Sequence, residues 1–565
     1  MLKLKEKKII SFLWQYKFFI FICIFCVLLE IISDLLLPII LSNTINIGIL
    51  NSNVNYILKN IILMIVILFI GIIGSVISTF LASKISNNVG YNIRYKIIKK
   101  ILNIDYKQID NLNIGKVITV VTNDISSVEN IIFLVLKLLI KIPLILIGSI
   151  ILCLSISKKL SYILLIIIPL IVIISIIFIK KTYPYFTLTN ETLDDINDLL
   201  RENITNIKLV KSENLEDIET KKFDKKNTKY KNIDTKALLT LSYMMPIVIF
   251  IINITTILIL ILSKIEIQKG NFLIGNVTAF IEYISLLLQA IMSTSMIFLL
   301  TIQSSVSIKR IKKLLCIKEE EKQRGIKPIL KGNIEFKNVY FKYNKKYNLE
   351  NINFKINSGE KVVIIGESGS GKTTLINLIH KNYKINKGQI LIDNININKY
   401  DINYLKNRIV MINQKPAIFK DTILNNIIFN KSENIYKYSK ITLFNKVIEK
   451  KENNLNFLIE QNGKNLSGGE KQRLVLTRSI INDFDTLILD DSTSSLDLKT
   501  ENLVIDNLLK EFKDKTIIWV TNRVTFINKF DKIILLKDGK IEAFTTFDKI
   551  INNKEFIELS KMEVL

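Results

Sequence analysis

The chain has 565 residues, too many for one compact domain. Its composition, 49% apolar yet 23% charged, excludes both a uniformly soluble protein and a pure membrane protein. The two characters are partitioned: long uncharged runs end near Leu300, and lysine-rich mixed sequence fills the rest. A net charge of +26 raises a nucleic-acid reading. However, Lys, Ile and Asn dominate together, as in an AT-rich genome, and many basic residues sit where a membrane protein needs them inside. No nucleic-acid partner is expected.

The chain opens on the basic stretch MLKLKEKK and then an apolar run with no small-residue cleavage site, so a removable signal peptide is not expected. A helix crossing the hydrocarbon core needs about 20 apolar residues. Six stretches qualify, near 18–41, 60–83, 131–154, 160–179, 239–262 and 279–300, and the second, fourth and fifth contain no charged residue. Cys23 and Cys26 form a CxxC inside the first span with no second ligand pair, which reads as buried apolar thiols rather than a zinc or redox site. With Cys153 and Cys316 they complete the cysteines of the chain, and no disulfide is expected.

No Lys or Arg lies between Phe18 and Leu58, so the first loop is predicted outside. The segment after span two carries Lys84, Arg94, Lys96, Lys99, Lys100, Lys107 and Lys116. The segment after span four carries Lys180, Lys181, Arg201, Lys208 and Lys211. Both are predicted cytoplasmic, as are both termini. Their helical patterning predicts that spans two to five continue as helices beyond the bilayer. Two short stretches are predicted to cap these extensions: Thr122-Asn123-Asp124, and Arg201-Glu202-Asn203 leading to Val210-Lys211.

Glu30 and Asp34 lie four apart on one face of the first span, just before Pro38. Intramembrane carboxylates are costly and face a partner or an aqueous cavity. A structural role, pairing with a basic residue or a polar contact with another helix, is favoured over a site for cationic substrates. Lys137 and Lys141 in span three are candidate partners, and Glu282 in span six is a third intramembrane acid.

From Asn333 the pattern changes to short β runs and turns. Val362-Val363-Ile364-Ile365 is a buried-strand signal, followed by Gly366-Glu367-Ser368-Gly369-Ser370-Gly371-Lys372-Thr373-Thr374 and an apolar helix. That is a P-loop in its strand–loop–helix context, with glycines that let backbone N–H groups converge on phosphates. Lys372 is expected to reach the β- and γ-phosphates of ATP, and Thr373 to hold Mg²⁺. A second strand, Leu487-Ile488-Leu489, ends in Asp490, suited to Mg²⁺ through its water shell.

Leu466-Ser467-Gly468-Gly469-Glu470, with Gln472-Arg473 behind it, resembles the signature of ABC ATPases, which P-loop proteins in general lack. The resemblance extends over essentially the whole chain and implies an ABC exporter half-transporter. The expected fold is multidomain: an all-α six-helix transmembrane domain with long intracellular helices (1–310), a linker (311–332) and an α/β P-loop NTPase cassette (333–565). By the same resemblance Tyr343 stacks on adenine, and Gln414 contacts Mg²⁺ and the coupling helices. Ser494-Ser495-Leu496-Asp497 is the D-loop, the capped intracellular stretches are coupling helices, and Ser467, Gly468 and Gly469 bind a γ-phosphate across a dimer interface.

Two catalytic positions depart from the family pattern. The residue after Asp490 is Asp491 where a glutamate polarises the attacking water, and the switch histidine is replaced by Asn522. The only histidine, His380, lies in the helix after the P-loop, too far along it to substitute. A damaged Walker side beside an intact signature implies one half of a heterodimer, whose partner half-transporter carries the missing glutamate and histidine. A homodimer with two slow sites, an ATP-binding sensor and a non-transporting scaffold subunit are the alternatives. The bilayer of a bacterial cell membrane is the expected setting, and a small molecule, lipid or peptide the expected cargo.

Overall fold

The computed structural model describes residues 10–270, 272–320, 325–428 and 434–564. The basic stretch MLKLKEKK and part of the linker, 321–324, lie outside the described residues. The chain forms two units: Met1–Leu102 with Leu112–Lys318, and Asn103–Asn111 with Glu319–Leu565.

Among the described residues of the first unit, six helices are long and apolar enough to cross a membrane, and each overlaps one predicted span. Three far exceed a bilayer: Val54–Ile101 and Lys158–Thr205 have 48 residues each and Glu216–Gln268 has 53. At 1.5 Å per residue these run for about 70–80 Å, so the predicted extensions are present. Span two leaves Ile62, Phe69, Val76 and Phe80 each more than 60% exposed. So broad an apolar face fits hydrocarbon rather than water.

Spans one and two pack closely because their facing residues are small. A Cβ on Gly71 would lie 2.5 Å from Ser33 Oγ, and one on Gly74 2.8 Å from the Cys26 carbonyl. Ser33 donates to the Ile67 carbonyl at 2.7 Å, and Cys23 Sγ to that of Ser78 at 3.4 Å. Cys23 and Cys26 are thus buried packing residues, and no metal-holding group of His, Cys, Asp or Glu occurs among the described residues.

The intramembrane charges find partners. Lys141 Nζ lies 2.6 Å from Glu30 Oε1 and 3.0 Å from Asp34 Oδ2, which is one of the structural roles favoured from the sequence. Lys137 reaches the Ser75 carbonyl and hydroxyl at 3.3 and 3.2 Å, and the Thr79 hydroxyl. Glu282 is exposed on the sixth helix.

The capping expectation is corrected. Thr122-Asn123-Asp124 does not cap an extension: it forms a wide π-type turn, Val120–Asp124, that runs on into helix Ile125–Leu138. The polar side chains are absorbed locally, since Thr122 donates back to the Ile118 carbonyl at 2.9 Å and buried Asp124 accepts from Ser307 at 2.7 Å. The short helix of this segment, the crossbar, instead lies earlier, at Tyr106–Asp110. The second stretch is not a cap either: Arg201–Asn203 is the last turn of the fourth long helix, and the short helix Ile207–Ser212, containing Val210 and Lys211, follows the break at Asn206 without a side-chain cap among the described residues.

Among the described residues the second unit has ten strands: β1 (Ile334–Phe341), β2 (Leu349–Ile356), β3 (Lys361–Ile365), β4 (Lys387–Ile392), β5 (Ile395–Asn396), β6 (Ile409–Ile412), β7 (Thr486–Asp490), β8 (Thr516–Val520), β9 (Lys532–Lys537) and β10 (Lys540–Thr545). The main sheet has the order β10-β9-β3-β8-β7-β6, parallel except at the β10 edge. A smaller antiparallel sheet has the order β2-β1-β4-β5. The central strands are apolar on both faces because each face carries its own core. Val363, Leu487, Ile517 and Ile533 enter one, while Val362, Ile488, Ile518 and Ile534 enter the other.

Candidate nucleotide site

Ligands of open α/β sheets sit at the carboxyl ends of the parallel strands, and the P-loop, Gln414, Asp490, Asp491 and Asn522 stand there. Fully buried β3 delivers the chain into Gly366–Thr374. Gly366 and Gly371 have φ of +152° and +105°. A Cβ on Gly366 would meet the Leu536 carbonyl at 2.2 Å, and one on Gly371 would meet Leu349 at 2.8 Å. Glycine is therefore needed at both for space and backbone alike. Glu367, Ser368 and Gly369 are exposed at the loop tip, while Ser370 is buried. The loop ends on helix Lys372–Ile379, whose N-terminus adds unpaired N–H groups and a favourable dipole for an anion.

Lys372 folds over the loop, donating to the Gly366 and Glu367 carbonyls at 2.6 and 2.8 Å. Burial lowers its pKa, and Asp490, Asp491 and Glu367 pull it back. The Thr373 hydroxyl donates to Asp490 Oδ1 at 3.3 Å, joining the loop to the end of β7. Burial pushes the Asp490 carboxyl up, against the hydrogen bond from Thr373.

Gln414, two residues past β6, donates through Nε2 to Asp491 Oδ2 at 3.1 Å. Asp491 leaves β7 with a left-handed φ of +44°, which aspartate tolerates better than most residues. Asn522 is exposed just beyond β8, whose Val520 pairs with Asp490. The two departures from the family pattern thus stand at the ends of adjacent strands. Thr374 is half-buried one residue past Thr373. Tyr343 packs edge-to-face on Phe341, with centroids 4.8 Å apart. Burial raises its pKa, offset in part by a hydrogen bond with Thr374.

The site's chemistry suits Mg²⁺. Thr373 and Asp490 supply hard oxygens side by side, Gln414 keeps its amide oxygen free of the Asp491 bond, and Ser370 Oγ is buried without a partner among the described residues. An ion held there by Thr373, Asp490 and Gln414 would neutralise charge on phosphate oxygens.

The signature stands at another helix start. Ser467 caps Gly468–Ile480 in a reciprocal capping box with Glu470, at 3.2 and 2.7 Å. A Cβ on Gly468 would approach Ser495 to 3.2 Å, and one on Gly469 would approach Leu496 to 3.1 Å, so the signature glycines admit the D-loop beside them. Gln472 strengthens that contact, accepting from Ser495 N at 2.9 Å and donating to Ser494 at 3.3 Å.

A residue that sequence reasoning missed holds the switch segment. Buried Glu501 bonds Arg523 and accepts from Thr493 at 2.6 Å, while Arg523 also donates to the Ser494 carbonyl at 3.0 Å. An acid in the first turn of a helix is too common for its sequence alone to mark this role.

His380, expected within the P-loop helix, is instead the residue that follows its end, and its Nδ1–H donates to Asn382 Oδ1 at 3.0 Å. Burial pushes its pKa down to about 4 from the ordinary 6.5. A histidine kept neutral by folding contributes stability above pH 6.5 that is lost as pH falls toward 4. Melting of the wild type and His380→Gln between pH 7.5 and about 4 is expected to show a steeper acid loss in the wild type.

A membrane bundle joined in one chain to a P-loop cassette with a signature helix defines an ATP-driven membrane transporter. Family models match accordingly: the ABC transporter transmembrane region over residues 20–291 and the ABC transporter domain over 349–494. Among curated relatives, an uncharacterized ABC transporter ATP-binding protein, YfiB of Bacillus subtilis, is 29% identical, with 97% of each chain covered. The multidrug resistance-like ATP-binding protein MdlA of Buchnera aphidicola is 32% identical, with 78% of each covered. An ATP-dependent lipid A-core flippase of Wigglesworthia glossinidia is 29% identical, over 81% of this chain and 80% of its own. The structure of a bacterial Atm1-family ABC exporter with ATP bound superposes with a TM-score of 0.83 at 18% identity, covering 97% of this chain and 99% of that one. The chain belongs to the ABC transporter family, as an exporter half-transporter whose ATPase activity is coupled to transport.

Proposed function

We propose that this chain is the weakly hydrolytic half of a heterodimeric exporter. The observation that carries the reading is the pairing of Gln414 with Asp491 rather than a glutamate, with Asn522 just beyond the neighbouring strand, in a chain whose signature is intact. In this reading ATP binds the Gly366–Thr374 loop and Lys372, Tyr343 stacks on adenine, and Mg²⁺ sits on Thr373, Asp490 and Gln414. Asp491 is the weak base and Asn522 an uncharged switch. Ser467, Gly468 and Gly469 complete a competent site on a partner that supplies its own glutamate and histidine. The cassette is cytoplasmic, the membrane domain ends near 310 and the cassette begins near 333. Closure of the two cassettes on ATP then reorients the membrane helices, and cargo moves because it binds the two facing states differently.

The test is ATP turnover of the chain alone against the chain co-purified with a half-transporter encoded beside it. Low turnover alone, restored in the pair and abolished by removing the partner's catalytic glutamate, supports the heterodimer. High turnover alone that is lost in Asp491→Asn means that Asp491 is an adequate base, and it returns the reading to a homodimer.

A further inference from the structure

The cassette's unit includes a piece of chain that lies between two membrane helices in sequence, Asn103–Asn111. Its backbone is tied in by a hydrogen bond from Glu320 N to the Asn103 carbonyl at 2.8 Å. Lys406 Nζ stands 4.8 Å over the Tyr106 ring, and Tyr106 meets Tyr383 edge-on with centroids 6.3 Å apart. The Tyr383 hydroxyl donates to Asp110 Oδ2 at 2.6 Å. The other side of Tyr383 is in contact with the nucleotide end of the cassette: its ring lies 5.0 Å from that of Tyr343, at 90°, and 5.8 Å from Phe341.

We propose that Tyr383 is a positioning residue that links Tyr343 to the crossbar helix Tyr106–Asp110, so that a nucleotide held on Tyr343 fixes the crossbar through one aromatic side chain. The inference rests on the proposed adenine contact of Tyr343. Its physical basis is stiffness. Tyr383 has only two side-chain torsions, and the perpendicular contact with Tyr343 restricts both. Its hydroxyl then makes a charge-assisted hydrogen bond, the strong kind, to a carboxylate on the crossbar. An adenine that fixes the Tyr343 ring therefore fixes Tyr383, and with it Asp110. Coupling of this sort is reciprocal: whatever ordering the nucleotide imposes on the crossbar, an ordered crossbar returns as nucleotide affinity. A ring that served only to fill the core would need no hydroxyl at Asp110.

The experiment is hydrogen–deuterium exchange of the full chain in lipid nanodiscs, with and without Mg·ATP, read on the peptide covering residues 103–111. In the wild type, ATP slows exchange there by about fivefold or more, the lower end of ordinary coupling. Tyr383→Phe, which keeps the ring, loses the ATP-dependent slowing and lowers ATP affinity by no more than the factor by which that slowing is lost, and Asp110→Asn does the same. Slowing in Tyr383→Phe equal to the wild type overturns the proposal. Tyr343→Leu separates it from the reading beneath: unchanged ATP affinity there refutes the adenine contact itself. Weakened affinity there, with Tyr383→Phe still slowed by ATP, leaves the adenine contact standing and refutes the link alone.

Discussion

Replacing Asp491 with glutamate and Asn522 with histidine together raises phosphate release by the purified chain by about 100-fold. In the proposed reading, two copies of this chain would each present a complete signature, because Ser467 caps the signature helix and the D-loop packs on Gly468 and Gly469. What they would lack is reach. Aspartate is one methylene shorter than glutamate, so its carboxylate is retracted by about 1 to 1.5 Å from the attacking water, a misplacement that by itself costs on the order of 100-fold. Asn522 can donate to a phosphate, but it cannot carry the positive charge that an imidazole offers near neutral pH. Asp491→Glu alone gives a smaller gain, for a second reason as well: the residue sits at φ +44°, where aspartate is better accommodated than glutamate. Turnover that stays at the wild-type level in the double variant would place the limitation in cassette closure, and the assignment of a damaged Walker side would be wrong.

Lys141→Met is the second large effect, in stability rather than turnover. Lys141 is the cation between Glu30 and Asp34, and the three side chains are 20%, 12% and 32% exposed. Removing the amine leaves two carboxylates without their counter-charge in a low-dielectric bundle, and Glu30 Oε2 already lacks a partner among the described residues. Breaking a buried pair from one side costs about 3–5 kcal/mol. A two-unit membrane chain does not unfold in one step, so the readout is the melting midpoint of the membrane unit in nanodiscs, followed by thiol labelling of buried Cys23 and Cys26. The midpoint falls in Lys141→Met and recovers in the triple variant Lys141→Met, Glu30→Gln, Asp34→Asn, which removes all three charges. A single variant as stable as the wild type would show that the carboxylates are solvated, and the structural assignment of the triad would give way to a substrate-facing one.

The same triad shows what the linear pattern carries and what it does not. Glu30, Asp34 and Lys141 are each visible as costly residues in apolar runs, but the partners lie 111 positions apart. Their depths are matched only when spans one and three pack. The Gln414–Asp491 bond spans 77 positions and the Tyr383–Asp110 bond 273. No local rule pairs such residues. The misplaced crossbar has the opposite cause. Thr122-Asn123-Asp124 has the composition of a helix cap, yet helix geometry lets Thr122 bond its own preceding turn and packing gives Asp124 to Ser307. The polar run is consumed inside a continuous helix.

The sequence by itself therefore determined whatever depends on neighbours along the chain. That covers the six spans, set by the length of apolar runs against the thickness of hydrocarbon, and the P-loop and signature, set by glycines and caps at helix starts. It also covers the presence of Asp491 and Asn522 where the family resemblance implies a glutamate and a histidine, since a residue type is visible without any fold. Tertiary structure alone decided the partners: which cation neutralises Glu30 and Asp34, that Gln414 holds Asp491, that Glu501 anchors Arg523, and that the crossbar is Tyr106–Asp110. The physical reason is range. Backbone geometry and hydrophobic periodicity act over a few residues, whereas ion pairs, hydrogen bonds and ring contacts form between groups that only the folded chain brings within a few ångströms.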